Sequence, residues 1–178
     1  MDDKAAASFV GWHARLTGQD EFPPDRAGRA ALRRAGDLEE VWRNPVAIAA
    51  LAPLLRAWAV SSTDGPAVDR TILAGLAAAA VSERRQGSLG AALAACLDKP
   101  GAARDEAQRQ GRLVTLTATE EPALFARLLR NLIAGPGEGR APVVATAEAV
   151  LGWHTPEGRL YQRRRILLDF YAADVVPI

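Results

Sequence analysis

The chain is 178 residues long and 49% hydrophobic, with 22 Lys+Arg against 21 Asp+Glu for a net charge of +1, so it can bury a real core and is not a uniformly basic nucleic-acid-binding domain. Its single cysteine, Cys96, excludes an internal disulfide and a cysteine-built zinc cluster and fits a reducing compartment. The longest apolar run, Ile72 to Val81, falls short of the ~20 residues that cross a bilayer, and Met1-Asp2-Asp3-Lys4 lacks the basic start of a signal peptide, so no membrane contact and a cytoplasmic location are expected.

Apolar residues recur at three- and four-residue spacings, and no stretch alternates in the manner of a strand. This predicts an all-α protein of eight or nine helices. The first should run from Lys4 to Leu16, with Phe9, Trp12 and Leu16 on one side, and stop at Gly18. Gln19 to Pro24 reads as a loop, and Asp25 opens an arginine-rich helix. A short acidic segment, Asp37 to Arg43, leads to Asn44-Pro45, a cap followed by proline at the first helical position. The helix it opens runs through Ile48, Leu51, Leu54, Leu55 and Trp58, and Pro53 should kink it. After a break at Ser61 to Gly65, Pro66 to Arg85 reads as an alanine-rich helix burying Val68, Ile72, Leu73 and Leu76, ended by Gln86-Gly87. Ser88 caps a short helix through Leu89, Leu93 and Leu97, which puts Cys96 in the core.

Asp98-Lys99-Pro100-Gly101 is the strongest linker signal. It divides the chain into an N-terminal bundle, residues 1–98, and a C-terminal bundle, residues 102–178. The second offers helices at Ala102 to Leu116, Glu120 to Ile133, Val143 to Leu151 and Pro156 to Ala173, with a loop at Gly135 to Pro142. Two small packed helical bundles are the expected architecture. Charge is near balance on both sides of the division, so any nucleic-acid contact must come from local patches.

The densest patch is Asp25 to Ala35, with Arg26, Arg29, Arg33 and Arg34 and no acid after Asp25. At about 100° per residue, Arg26, Arg29 and Arg33 fall within roughly 60° of one another, opposite Ala31, Leu32 and Ala35. A guanidinium fork matches phosphate oxygens, and a row of them at helical spacing can follow a nucleic-acid backbone. A solvated surface is the plainer reading of the same pattern. Arg109 and Arg112, one turn apart, would clamp one phosphate or pair with Glu106. Arg127 and Arg130 project together, away from the apolar side formed by Leu124, Phe125, Leu128, Leu129, Leu132 and Ile133. The last helix carries Arg159, Arg163, Arg164 and Arg165, with Arg165 and Asp169 spaced as an i, i+4 pair. Arg163 projects near Leu167 and Phe170, where it would snorkel, meet a carboxylate or serve an intermolecular surface.

Catalytic chemistry is missing from the pattern. His13 and His154 are the only histidines, and neither stands at metal-ligand spacing from a second ligand. No catalytic residue, metal or cofactor is therefore expected. His13 should lie near a helix surface and His154 at a loop or helix start. Gly135-Pro136-Gly137-Glu138-Gly139-Arg140 lacks the Gly-Lys-Ser/Thr ending of a P-loop and reads as a plain loop. No Gly-x-Ser-x-Gly elbow occurs. The acidic pairs Glu39-Glu40, Asp105-Glu106 and Glu120-Glu121 sit where they complement helix N-termini.

An ordered series of short motifs resembles the small subunit of the type I-E CRISPR Cascade surveillance complex, the CasB family. The series begins with Arg29-Ala30-Ala31-Leu32-Arg33-Arg34 and continues with Ser88-Leu89-Gly90, Arg112-Leu113-Val114-Thr115-Leu116 and Leu128-Leu129-Arg130. It closes on Arg163 to Arg165 with Phe170-Tyr171, and the resemblance covers nearly the whole chain, about Phe9 to Ala173. The loop at Gly135 to Pro142 and the His154-Pro156 segment depart from the family pattern. The resemblance implies a non-catalytic subunit of antiviral defence, without cofactor and present in more than one copy. Such a subunit would hold the guide RNA–target DNA duplex and the displaced non-target strand through their backbones. Its implied partners are the large subunit, the guide-RNA backbone subunits and a second copy of itself packed head to tail. Arg26, Arg29, Arg33, Arg34, Arg109, Arg112, Arg127, Arg130, Arg163 and Arg164 are the expected phosphate contacts. A helical adaptor that binds only protein, its arginines meeting acidic partners, is the alternative.

Overall fold

The structure is a computed structural model that describes residues 3–19, 23–58, 64–84, 86–98 and 106–173. Among these residues the chain is all-α apart from one two-residue strand pair. Helix α1 spans Asp3–Thr17 and ends at Gly18, whose φ of +74° closes the last turn as only glycine does without strain. The arginine-rich segment is α2, Arg26–Arg34, opened by the Asp25 carboxylate, which accepts the Gly28 amide at 2.8 Å. Asp37 to Arg43 is itself mostly helical, a correction to the expected count. Leu38–Arg43 forms α3, with Asp37 accepting from the Glu40 amide and Glu40 reaching back to the Gly36 amide.

Asn44 caps α4, Pro45–Ala57, through the Val46 and Ala47 amides, and the helix continues past Pro53. Asp64 caps α5, Gly65–Ala79. Here the alanine pattern misleads, because α5 stops at Ala79 and does not run on toward Arg85, which lies outside the described residues. The Ser82 amide donates to the Gly139 carbonyl at 2.6 Å, and β1, Glu83–Arg84, pairs in parallel with β2, Arg140–Ala141. Tertiary pairing with a distant loop thus overrides local helix propensity. Ser88 caps α6, Leu89–Leu97, by accepting from the Ala91 amide. Residues 99–105, where the linker is expected, are outside the described residues. Beyond them come α7, Glu106–Ala118; α8, Pro122–Ala134; α9, Val143–Gly152; and α10, Pro156–Ala173.

Every residue from Thr71 to Val81 is buried, so α5 is an axis of the packing. It lies against α1, α2 and α4 from the first half of the chain and against α8 and α9 from the second. Helix α6 packs along α10, and Gly90 permits that approach: a methyl group there would lie 2.8 Å from the Phe170 amide nitrogen. The buried apolar cluster draws on both sides of residue 98. Cys96 is buried within the fold, as expected. Phe125 of α8 stacks on Trp153, ring centroids 3.6 Å apart at 7°, and the Trp153 indole N–H donates to the Thr119 carbonyl at 3.1 Å.

Candidate nucleic-acid interface

Helix α2 shows its arginines on one side because small and apolar residues fill the other. Gly28, Ala31 and Leu32 are buried, and a methyl group on Gly28 would sit 2.7 Å from the Ala50 Cβ of α4. Arg26, Arg33 and Arg34 are left exposed, while Arg29 is half-buried. Arg29 donates from Nη2 to Ser82 Oγ at 2.8 Å, which ties α2 to the segment leading into β1. Burial, and then the neighbouring Arg33 cation, lower the Arg29 pKa. Arg34 donates from Nε to the Ala30 carbonyl at 3.1 Å.

Arg130 reaches across from α8 to the C-terminal end of α2. Its Nη2 donates to the Arg33 carbonyl at 2.6 Å and its Nη1 to the Ala35 carbonyl. A cation at that position satisfies carbonyls the helix leaves unpaired and opposes the negative end of its dipole. Burial lowers the Arg130 pKa, Glu40 opposes that effect and Arg33 adds to it. Arg127, one turn earlier and exposed, shares a cleft of about 250 Å³ with Arg130, Asp37 and Glu121. Arg29, Arg33, Arg130 and Arg127 therefore form a run of neighbouring cations across α2 and α8. Among the described residues, no ion pair occupies Arg26, Arg33, Arg34 or Arg127.

The remaining arginines behave differently. Arg109 is a correction to the expected phosphate clamp. It is 8% exposed, its Nε lies 2.9 Å from Asp98 and its Nη1 3.2 Å from Glu106, and its guanidinium sits 4.6 Å from the centre of the Phe170 ring. In that setting it fastens α7 to the end of α6 and to α10, with its fork turned away from solvent. Arg112 is half-buried and lines a separate groove of about 490 Å³ between α7 and α8 with Leu128 and Leu132. Arg163 is half-buried, with an Nε that meets no acceptor among the described residues, and Arg164 is exposed. Arg165 pairs with Glu148 of α9 at 3.3 Å, not with Asp169. Arg159 donates to the Glu120 carbonyl at 2.6 Å.

His13, expected near the surface, is fully buried, and its Nε2 lies 2.9 Å from the Val81 carbonyl. Packing of α1 on the end of α5 covers it. His154 follows Trp153 in the turn before α10, as expected. Burial, and then the Arg70 cation, push its pKa down from 6.5 to about 4. Because the folded state favours neutral imidazole, His154 contributes stability that is full above pH 6.5 and fades as the pH falls toward 4. His154→Gln should flatten that part of the pH profile, seen as a melting-temperature difference between wild type and variant that changes between pH 6.5 and 4. A constant difference would contradict it.

No group of three or more His, Cys, Asp or Glu side chains among the described residues is arranged to hold a metal ion, and no helix there is long and apolar enough to cross a membrane. The molecule is thus an all-helical protein whose α2 and α8 carry a run of arginines. The family model for CRISPR-associated protein Cse2 matches residues 28–171, from α2 through most of α10. The chain belongs to the Cse2 family of CRISPR-associated proteins, also called CasB. It is similar to the crystal structure of a Cse2-family CRISPR-associated protein from Thermus thermophilus, at 22% identity and a TM-score of 0.68, covering 94% of this chain and 97% of the other. It is also similar to a chain in the crystal structure of E. coli Cascade bound to a PAM-containing dsDNA target, at 15% identity and a TM-score of 0.62, covering 93% of this chain and 95% of the other. At such identities these likenesses show the shared helical fold. No curated protein sequence matches the chain.

Proposed function

We propose that this chain is the non-catalytic small subunit of a type I-E Cascade complex, holding the guide RNA–target DNA duplex and the displaced strand by their phosphates. The observation that carries the reading is the run of arginines on α2 and α8 in a Cse2-family chain of net charge +1. A near-neutral chain with its densest run of arginines on α2 and α8 suits a protein whose other faces meet neighbouring subunits. Its likeness to a chain of E. coli Cascade bound to a dsDNA target supports the same assembly.

Arg26, Arg33, Arg34 and Arg127 are exposed and contact phosphate; Arg29 and Arg130 orient the helices that carry them. Arg112, Arg163 and Arg164 extend the contact from α7 and α10. Sequence is read by base pairing between guide and target, so the protein needs backbone contacts only. A second copy packed head to tail lengthens the strip, an arrangement that neighbouring subunits terminate. Leu160, Leu168 and Tyr171 leave apolar surface on α10 for protein contact. In this role the chain binds no cofactor and performs no chemistry.

The triple variant Arg26→Ala, Arg33→Ala and Arg127→Ala tests the reading. Its affinity for a DNA duplex should fall about tenfold or more at moderate salt, and the slope of log affinity against log salt should flatten by up to about 3, since each phosphate contact contributes roughly 0.9. All three side chains are exposed, so the melting temperature should not move. Affinity and salt slope equal to wild type would sink the proposal in favour of an adaptor that binds only protein.

A further inference from the structure

A further opening in the surface lies between the N-terminus of α1, the end of α4, the start of α5, the end of α9 and the start of α10, and shares no lining residue with the cleft at Arg127 and Arg130. It is a groove of about 900 Å³, lined by Trp58, Tyr161, Leu151, Lys4, Arg70 and Gln162 among others. That volume is within the range of small-molecule sites. We infer that this groove accepts one unpaired nucleotide of a single strand, its base against Trp58 and Tyr161 and its phosphate at Arg70 and Lys4. The inference rests on the proposed function for the identity of the ligand as nucleic acid, and adds a base-accepting site to it.

Three observations converge on that ligand. Trp58 lines the groove and is held edge-to-face on buried Phe9, ring centroids 5.3 Å apart at 82°, so the indole is fixed in place. Tyr161 lines the same groove from α10 and is 61% exposed, an aromatic surface left uncovered by the fold. Stacking on such rings is tolerant of base identity, which suits a strand whose sequence the protein does not read.

The charge of the groove completes the match. Lys4 and Arg70 line it, and no ion pair occupies either among the described residues. Arg70 donates from Nε to the Pro66 carbonyl at 3.1 Å, which fixes its base at the first turns of α5. The one acid in the lining, Glu148, pairs with Arg165 at 3.3 Å, so the cations dominate. Aromatic walls and two cations in one groove fit a nucleotide better than an apolar peptide, which would leave the cations unanswered.

The test compares a labelled deoxythymidine decamer with a decamer of abasic sites, using wild type, Tyr161→Ala, Arg70→Ala and the triple arginine variant, each also titrated with a duplex. Wild type should prefer the base-bearing decamer, and Tyr161→Ala should erase most of that preference, a loss of about fivefold or more, while duplex affinity stays unchanged. A 5-iododeoxyuridine decamer should photocrosslink to Trp58 or Tyr161. If Tyr161→Ala keeps the wild-type preference for bases, the groove is not a base site. If it instead weakens association with other protein subunits and leaves single-strand affinity intact, the groove belongs to a protein partner and the inference is overturned. The triple variant separates the two readings: loss of duplex affinity there, with Tyr161→Ala indifferent, removes the groove alone, whereas unchanged duplex affinity removes the broader function.

Discussion

Trp153→Ala should lower stability by about 3–5 kcal/mol, the range for deleting a fully buried large aromatic, and so depress the melting temperature by about 6–20 °C in a chain of this size. Trp153 is 0% exposed, stacks on Phe125 of α8 and donates to the Thr119 carbonyl between α7 and α8. It therefore joins the α9–α10 turn to the helix that carries Arg127 and Arg130. Trp153→Phe keeps an aromatic face against Phe125 but loses the hydrogen bond and some volume, and should cost much less. A thermal or denaturant melt of both variants measures this, and a loss under about 1 kcal/mol for Trp153→Ala would show that the site collapses around the cavity.

Arg130→Ala should cost about 1–3 kcal/mol, because two hydrogen bonds from a charged group to the end of α2 disappear and water replaces them only in part, the bond to the Arg33 carbonyl being exposed. Arg130→Lys should recover only part of this, since an ammonium cannot reproduce a planar fork reaching two carbonyls. The expected signature is a lowered melting temperature together with weaker duplex binding, the binding loss arising from displacement of α2. The triple variant at Arg26, Arg33 and Arg127 should show the reverse, with binding lost and melting unchanged. An Arg130→Ala protein of wild-type stability with reduced affinity would instead make Arg130 a direct phosphate contact.

The contrast between Arg130 and Arg127 marks the limit of helical-wheel reasoning. Both project from the polar side of α8, and nothing in their spacing distinguishes them. Arg130 meets backbone carbonyls of residues almost a hundred positions earlier in the chain, while Arg127 remains exposed. Arg109 and Arg112 divide in the same way, one buried against Asp98, Glu106 and Phe170 and the other beside a surface groove. Arginines at similar helical positions acquire different tasks according to which element packs over them.

The helices themselves are legible because their signals are local. Side-chain caps at Asn44 and Ser88 sit where the residues flanking them predict. The apolar period along α1 and α8 likewise needs no distant partner to be read. The Ser88-Leu89-Gly90 motif is visible too, yet its glycine gains a physical reason only from α10 lying against α6. The end of α5 escapes such reading because an alanine run favours helix, while the parallel pairing with Arg140–Ala141 that competes with it is non-local.

By itself the amino-acid sequence determined the all-α class, most helix boundaries, the arginine-bearing face of α2 and an ordered set of motifs resembling one family. These depend on residues within a few turns of one another. Only the tertiary structure decided which arginines face solvent, which hold the fold together, that His13 is buried, and that Trp58 and Tyr161 line one groove. Each of those depends on contacts between segments far apart in the chain, and periodicity within one helix carries no information about what covers it.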